Sequence, residues 1–294
     1  MNIANLTKRL AALLLIAVSS VAAAPGAGTF LVGYPFQEMA PTATRQFEVL
    51  GGWGAGKWIN GLSQVVNPSS YTLYNLAGKA GVVKGGLKSS YGVPCEQTYG
   101  VEVKAVPQRN DWWIALSAPW SARPRAVTML PNSSAVYIGV VRDVLVKKGL
   151  KNPSVQLQQV VQVDLDGDRR FEIVIAANHF DESSGQASIG ELFPPVSGQA
   201  GDYGLLIVRK VVAGKLQTFE LGADVILKAT TSAELEQGTQ NNPDRFELVN
   251  VLDLNGDGKM EIVMFNAIYE DSAVSALEWD GKKFQQRLIS GCGV

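Results

Sequence analysis

Two short stretches of this chain carry nearly the same sequence and decide how the rest is interpreted. Residues 160–168 read VVQVDLDGD, residues 249–257 read VNVLDLNGD, and the tripeptide EIV follows in both copies. The residues on either side are rich in Val, Ile and Leu, which favour β-strands. A pattern that recurs together with its flanking strands is typical of a repeat architecture. We therefore predict two copies of one unit, each with an acidic loop between two strands.

The similarity continues beyond the acidic loops. Strand-like residues 205–211 and 216–221 flank a tight Gly-Lys turn in the first copy, and residues 274–279 and 284–289 flank another in the second. Glycine at such turns supplies the positive φ that a hairpin needs. Each unit is therefore predicted as four antiparallel strands, which is the plan of a propeller blade. Two tandem hairpin pairs inside a β-sandwich remain an alternative.

Oxygen-bearing residues occupy alternate positions of both loops, and hard oxygen ligands favour calcium. Gly258, at position six of the second loop, permits the sharp turn that wraps a chain around an ion. An EF-hand is excluded because position twelve is Ile175 or Met264, not Glu, and the flanks are strand-like. The predicted ligands are Asp164, Asp166, Asp168, the Arg170 carbonyl and Glu172 in one loop, and Asp253, Asn255, Asp257, the Lys259 carbonyl and Glu261 in the other.

The string Asp-x-(Asp/Asn)-Gly-Asp-x-x-x-Glu-Ile-Val resembles the FG-GAP or VCBS repeats of integrin-type β-propellers. In that family, acidic residues bind calcium in a loop that joins adjacent strands. The resemblance implies an all-β fold, a β-propeller-like array of four-stranded antiparallel units with Ca²⁺ bound in the inter-strand loops. It covers both acidic loops and, through the shared strand plan, the region that follows them.

Three features depart from the family pattern. Glu172 and Glu261 stand at position nine, where the family usually has Asp, and Arg169 replaces Gly at position six of the first loop. A non-glycine residue strains that turn and adds a cation beside the site. Only two clear repeats are present, whereas a full propeller has several. The alternative for both loops is a metal-free acidic turn held by side-chain-to-backbone hydrogen bonds.

The N-terminus has the pattern of a secretory signal peptide. Lys8 and Arg9 precede the apolar run of residues 10–18, and small residues at 21–23 form a cleavage site. We expect residues 1–23 to be removed, leaving a mature chain without a membrane span in the periplasm or outside the cell; an uncleaved anchor helix is the alternative. The mature chain would be mildly acidic, which argues against nucleic acid as its main partner.

Two cysteines are present, Cys95 and Cys292. An even pair in an exported protein predicts a disulfide, although two free thiols remain possible. A zinc site would need more ligands than these cysteines and the single histidine supply.

Residues 24–125 are strand-rich but have no acidic loop, and they supply either further blades or a separate domain. Hairpins are predicted at residues 47–58 and 71–83, and the proline-containing residues 118–131 are interpreted as a linker before the repeat region, residues 126–294. Helical signals are scarce after the signal peptide. Five of the six tryptophans fall in this first part, where they either fill a core or stack on sugars.

No catalytic motif stands out. His179 matches Ile268 in the second copy, so a structural role is favoured over catalysis. Phosphate-loop, dinucleotide and nucleophile-elbow patterns are absent from the sequence. The sequence therefore favours an exported, calcium-stabilised binding or scaffold protein whose partner is an unknown protein or glycan. The alternatives are a hydrolase of glycans or phosphoesters that uses carboxylates in the long loops, Asp181 included, and a purely structural envelope component.

Overall fold

The computed structural model describes residues 26–35, 45–60, 62–107, 111–180, 197–237, 241 and 243–293. These residues form three antiparallel sheets, which confirms the all-β prediction. The predicted signal segment, residues 1–23, and Asp181 lie outside the described residues.

The first sheet closes on itself as a six-stranded barrel. Its hydrogen-bonded order is β1-β7-β4-β5-β6-β2, and β1 also pairs with β2, so the sheet has no free edge except where β3 extends it. Both predicted hairpins are present, β2 with β3 and β4 with β5. The strands are β1 (Gly28–Gly33), β2 (Arg45–Gly54), β3 (Lys57–Ile59), β4 (Ser70–Asn75), β5 (Gly78–Ser90), β6 (Tyr99–Lys104) and β7 (Trp113–Ser117).

The other two sheets contain the two acidic loops. The outer sheet has the order β12-β11-β10-β9-β8 and the middle sheet the order β13-β14-β15-β16, so both follow the predicted succession of strands. Gly214 and Gly281 adopt the expected positive φ at the tight turns. The strands are β8 (Val127–Met129), β9 (Leu157–Val163), β10 (Glu172–His179), β11 (Tyr203–Val212), β12 (Lys215–Val225), β13 (Arg245–Leu252), β14 (Glu261–Ala267), β15 (Asp271–Trp279) and β16 (Phe284–Gly293).

The sheets stack in layers because successive side chains of a strand point to opposite faces. In the middle sheet, Val263 packs with barrel residues such as Phe30, while its neighbour Ile262 packs against the outer sheet. In the outer sheet, Val174 faces the middle sheet and Ile175 faces a helix. The order is thus barrel, middle sheet, outer sheet and helix, with a buried apolar layer at each interface.

Two side-chain amides link the outer and middle sheets through backbone groups. Gln159 both donates to the Leu248 carbonyl and accepts from the Leu248 amide, each at 2.9 Å. Asn178 does the same with Phe246, at 2.8 and 3.1 Å. Each amide satisfies backbone groups at the point where a strand of one sheet meets the other. The two four-stranded units are therefore joined by directional bonds as well as by apolar packing.

One feature that the sequence analysis did not foresee is helix α1 (Ala135–Lys147), which covers the outer sheet. Its Val-rich composition favours strands. The buried residues Val141, Val144 and Leu145 nevertheless follow the helical spacing of three and four, and Gly149 at positive φ follows the C-terminus. The interpretation of the chain as nearly helix-free was therefore incomplete here. A second, short helix, α2 (Ser232–Glu236), precedes β13.

The segment between β7 and β8, residues 118–126, makes specific bonds to all three sheets, although the sequence analysis interpreted it as a linker; we call it the connector. Trp120 Nε1 donates to the Asp253 carbonyl at 2.9 Å. Arg123 bonds the barrel through the Leu76 carbonyl and the middle sheet through Asn250 Oδ1. The connector therefore fixes the barrel against the two four-stranded units.

The predicted disulfide, Cys95–Cys292, is formed. It joins the barrel loop between β5 and β6 to β16, and next to it Thr98 Oγ1 donates to the Gly291 carbonyl at 2.5 Å. A disulfide is compatible with an oxidising compartment. Among the described residues, no helix combines the length and apolar character needed to cross a bilayer.

We expect the double substitution Cys95→Ala with Cys292→Ala to lower the free energy of unfolding by up to about 4–5 kcal/mol, the chain-entropy value for so long a loop. The crosslink spans a sequence separation of 197 residues. Urea denaturation of the oxidised protein, the reduced protein and the double variant measures this. Reductant should destabilise only the unsubstituted chain; equal stability with and without reductant would contradict the prediction.

Candidate metal centre

The two acidic loops lie side by side at one end of the stacked sheets. The first loop, residues 164–172, joins β9 to β10, and the second loop, residues 253–261, joins β13 to β14. The Met260 amide in the second loop donates to the Leu165 carbonyl in the first at 2.8 Å. Arg125 of the connector donates to the Leu165 and Gly258 carbonyls, both at 2.7 Å. One arginine thus holds both loops.

Both loops share one scheme of internal hydrogen bonds. Asp164 and Asp253 stand at position one. Their Oδ1 atoms accept the amide of position four, at 2.8 and 2.7 Å, and their Oδ2 atoms accept the amide of position six, at 3.1 and 3.0 Å. At position five, Asp168 and Asp257 each accept the amide of position seven at 2.8 Å. These are the bonds of the metal-free acidic turn, and they shape the loops before any ion binds.

The glutamates at position nine complete the common scheme. Oε2 of Glu172 and of Glu261 accepts the amide of position two, at 2.8 and 2.7 Å. Each of these glutamates is only 1% exposed to solvent. The second carboxylate oxygen, Oε1, of each glutamate is therefore confined to the interior of the loop. The two copies differ in the partner that Oε1 has there.

In the first loop that partner is the ammonium group of Lys210 on β11. Its Nζ donates to Glu172 Oε1 at 2.8 Å and to Asp166 Oδ2 at 2.7 Å. The Lys210 side chain is 3% exposed, and its Nζ also lies 5.5 Å from the centre of the Trp279 ring of the middle sheet. A cation placed over an aromatic ring is stabilised by the ring electrons. The ammonium is therefore enclosed by two carboxylates and one indole.

Lys210 compensates part of the negative charge in the first loop: Asp166 Oδ1 is buried and accepts no hydrogen bond, and burial still raises the pKa of Glu172. Burial alone lowers the pKa of Lys210, but its hydrogen bonds to Asp166 and Glu172 and their charges outweigh burial, and the pKa is raised above its usual value. Asp164, Asp166 and Glu172 bring oxygens within 4.8 Å of one another, a grouping that could hold a metal ion. With the lysine in place, that grouping already contains a cation.

In the second loop the corresponding oxygen has no partner. Glu261 Oε1 is buried and accepts no hydrogen bond. Burial, the largest cause, and the charges of Asp253, Asp257 and Glu278 raise the pKa of Glu261 well above its usual value, although the Leu254 amide opposes this. A buried carboxylate oxygen without a proton donor or cation is strongly unfavourable.

The carboxylates of Asp253, Asp257 and Glu278 lie near enough to Glu261 to raise its pKa, and carboxylate oxygens are ligands that a hard cation prefers. Asn255, which is 4% exposed, replaces Asp166 of the first loop, and its Nδ2 donates to Glu278 Oε1 at 3.2 Å. The second oxygen of Glu278 accepts from Arg287 Nε at 2.6 Å. The second loop therefore contains a buried carboxylate oxygen without a partner, whereas in the first loop an ammonium group already bonds two of the three carboxylates that could hold a metal ion.

The backbone at position six also differs between the loops. Arg169 in the first loop adopts φ +68° and Gly258 in the second φ +83°. The left-handed region costs a non-glycine residue about 1–2 kcal/mol. The strain expected from Arg169 is thus present, and both loops retain the same turn despite it.

His179 and the tryptophans, which the sequence analysis also singled out, pack against other side chains of the fold. His179 ends β10, and its ring lies 6.0 Å from that of Tyr203. Trp112 and Trp113 are buried, and Trp53 and Trp58 pack against the core between the barrel and the middle sheet. Trp112 and Trp113 therefore fill the core, whereas Trp53 and Trp58 are half-buried.

No protein-family model, no curated protein and no solved structure matches this chain. The resemblance to FG-GAP and VCBS repeats therefore stays a prediction from the loop motif.

Sequence reasoning missed Lys210 and Glu278, the residues that face the position-nine glutamates from the next strand. Neither belongs to the loop motif, and both lie far from it in sequence. The repeat alignment held a usable signal, because Arg209-Lys210 and Leu277-Glu278 occupy the same place in their respective strands. A change of charge sign at one aligned position points to a difference between the two copies.

Replacing Arg169 by Gly should stabilise the protein by up to about 1 kcal/mol, because relief of left-handed strain exceeds the entropy cost of an added glycine. The matched change, Gly258→Arg, should destabilise by about 1 kcal/mol. A Cβ at Gly258 would meet no atom within 4 Å, so that variant isolates the backbone effect. Urea denaturation without calcium gives both values; the opposite order of stabilities would refute this account of position six.

Proposed function

We propose that this protein is an exported, calcium-stabilised binding or scaffold protein of the cell envelope, with no enzymatic activity, and that its second loop holds one Ca²⁺. The observation that carries the proposal is Glu261 Oε1, a buried acceptor without a hydrogen-bond partner, with the charges of Asp253, Asp257 and Glu278 near it. A bound dication would satisfy that oxygen and neutralise the carboxylates around it.

The donors that would hold the ion are oxygens spread over the loop and the facing strand. Side chains at positions one, three, five and nine and the carbonyl at position seven match the alternate-residue pattern that suits calcium. Glu278 on β15 adds a carboxylate from outside the loop. The set is Asp253, Asn255, Asp257, the Lys259 carbonyl, Glu261 and Glu278.

A structural role for the ion follows from the position of the second loop. Its amides and carbonyls bond Arg125, Trp120 and Ala122 of the connector, so an ion bound here would stabilise the junction of the middle sheet with the barrel. Extracellular calcium modules bind with dissociation constants of about 10⁻⁴–10⁻³ M. Occupancy at about 1 mM calcium would then add roughly 0.4–1.4 kcal/mol of stability, as a structural clip would.

The relation to integrin-type β-propellers remains part of the proposal. Two four-stranded meanders with an acidic loop between their first two long strands, stacked face to face, support it. The barrel occupies the other face of the middle sheet. We propose that the chain pairs two blade-like units with this barrel.

Binding is favoured over catalysis because the described carboxylate clusters are occupied in structural bonds. Asp164, Asp253 and the two position-nine glutamates each accept backbone amides, which suits holding a loop rather than transferring protons to a substrate. The proposed partner is a protein or a glycan presented at the envelope. The disulfide supports an oxidising location, either periplasmic or extracellular.

Adding about 1 mM calcium to the chelated protein should raise the melting temperature by roughly 1–4 °C, from the stabilisation that such affinities give. Asp257→Ala should abolish this shift. Asp280→Ala is the matched control, because Asp280 also caps a turn of the middle sheet through backbone amides but lies outside the loop. An identical calcium response in Asp257→Ala and the unsubstituted protein would remove the metal from this loop.

The functional class is tested by presenting the calcium-loaded protein to a glycan array and to a panel of glycosidase and phosphoesterase substrates. We expect selective binding without turnover, because the described acidic groups serve as loop acceptors. Turnover that disappears in His179→Ala, while Asp280→Ala retains it, would instead support the hydrolase alternative.

A further inference from the structure

We infer that the Lys210 ammonium is a built-in replacement for the metal ion in the first loop, so that the chain takes one divalent cation and not two. This inference uses the proposed calcium site of the second loop as its comparison. It assigns different chemistry to two loops whose sequences predict the same site.

The strand registers place Lys210 and Glu278 at equivalent positions. On β10, Ile173 pairs with Arg209 of β11, so the preceding residue, Glu172, faces Lys210. On β14, Ile262 pairs with Leu277 of β15, so Glu261 faces Glu278 in the same way. The residue that approaches the position-nine glutamate from the third strand is thus a cation in one copy and an anion in the other.

The hydrogen-bond partners of the two position-nine glutamates differ between the copies in the same way. In the first loop, Oε1 of the position-nine glutamate accepts from Lys210 Nζ at 2.8 Å. In the second loop, Oε1 of Glu261 has no partner. Since the Oε2 atoms of both glutamates accept from the amide of position two, the two Oε1 atoms occupy corresponding places, one bonded to an ammonium and one without a hydrogen-bond donor.

The residue at position three of the loop also differs between the two copies, together with the residue that faces the loop from the third strand. Asp166 accepts from Lys210 in the first loop, whereas Asn255 donates to Glu278 in the second. In the first copy a lysine on the third strand is thus paired with an aspartate at position three. In the second copy a glutamate on the third strand is paired with an asparagine at position three. This paired exchange keeps a contact between position three and the third strand in each copy, but reverses which side supplies the proton.

A metal ion cannot share the first loop with this ammonium. Nζ lies 2.7 and 2.8 Å from the two carboxylate oxygens that an ion would need, so an ion bound there would sit against a like charge. Lys210 is 2% exposed, and moving it aside would bury an unpaired charge. The lysine therefore accounts for the pairing of Asp166 with Glu172, while Asp166 Oδ1 accepts no hydrogen bond.

The first test counts bound calcium ions per chain by isothermal titration calorimetry, with native mass spectrometry of the same samples. The unsubstituted protein should bind one ion. Lys210→Glu places at the first loop the residue that faces the second loop, and this variant should bind two ions. Glu278→Lys makes the reverse exchange at the second loop, and this variant should bind no ion. Two ions on the unsubstituted protein, or the same number of ions on Lys210→Glu as on the unsubstituted protein, would overturn the inference.

A second variant separates the inference from simple misfolding. Lys210→Gln removes the charge but retains a long polar side chain, so without calcium its melting temperature should fall because Asp166 and Glu172 lose their cation. Calcium should then raise its melting temperature by at least twice the shift seen in the unsubstituted protein. A purely structural lysine predicts a fall that calcium does not restore, which would also overturn the inference.

The two proposals fail in different ways. If the unsubstituted protein binds no calcium while Lys210→Glu binds one ion, the calcium site in the second loop is wrong and the role of Lys210 stands. If the unsubstituted protein binds one ion that Asp257→Ala retains and Asp168→Ala loses, the ion occupies the first loop and the role of Lys210 is wrong.

Discussion

A buried carboxylate needs a partner for each of its oxygens, and this requirement at position nine governs both acidic loops. One oxygen of Glu172 and of Glu261 is satisfied in the same way, by the amide two residues into the loop. The other oxygen requires a positive centre, because an isolated charge in a protein interior is highly unfavourable. In the first copy Lys210 supplies that centre from within the chain. In the second copy Glu261 Oε1 has no partner within the chain, and we propose that calcium supplies it.

The connector bonds both acidic loops and the barrel. Arg125 donates to carbonyls of both loops, and Trp120 bonds the Asp253 carbonyl. Arg123 reaches back to the barrel. A loop that loosens would therefore weaken the attachment of the barrel. We propose that an ion in the second loop and Lys210 in the first both stabilise this junction.

Much of the fold could be predicted from local sequence. Alternating apolar residues, Gly-Lys turns and the repeated acidic loops predicted the strands and their order, because each signal acts over a few residues. Helix α1 was missed because its valines favour strands by composition, while burial on the outer sheet selected the helix. The sequence analysis interpreted the connector as a linker because a flexible linker and a segment bonded to the fold can both be rich in prolines and charged residues. Only the hydrogen-bond partners of the segment distinguish the two.

The sequence by itself determined the two loops, their acidic residues and the glycine that the second turn requires, since these depend on neighbours within nine residues. Only the tertiary structure decided that strands β1, β2 and β4 to β7 close into a barrel and that the same motif meets Lys210 in one sheet and Glu278 in the other. The reason is physical: closure and charge pairing depend on which strand lies alongside, and that contact joins residues far apart in the chain.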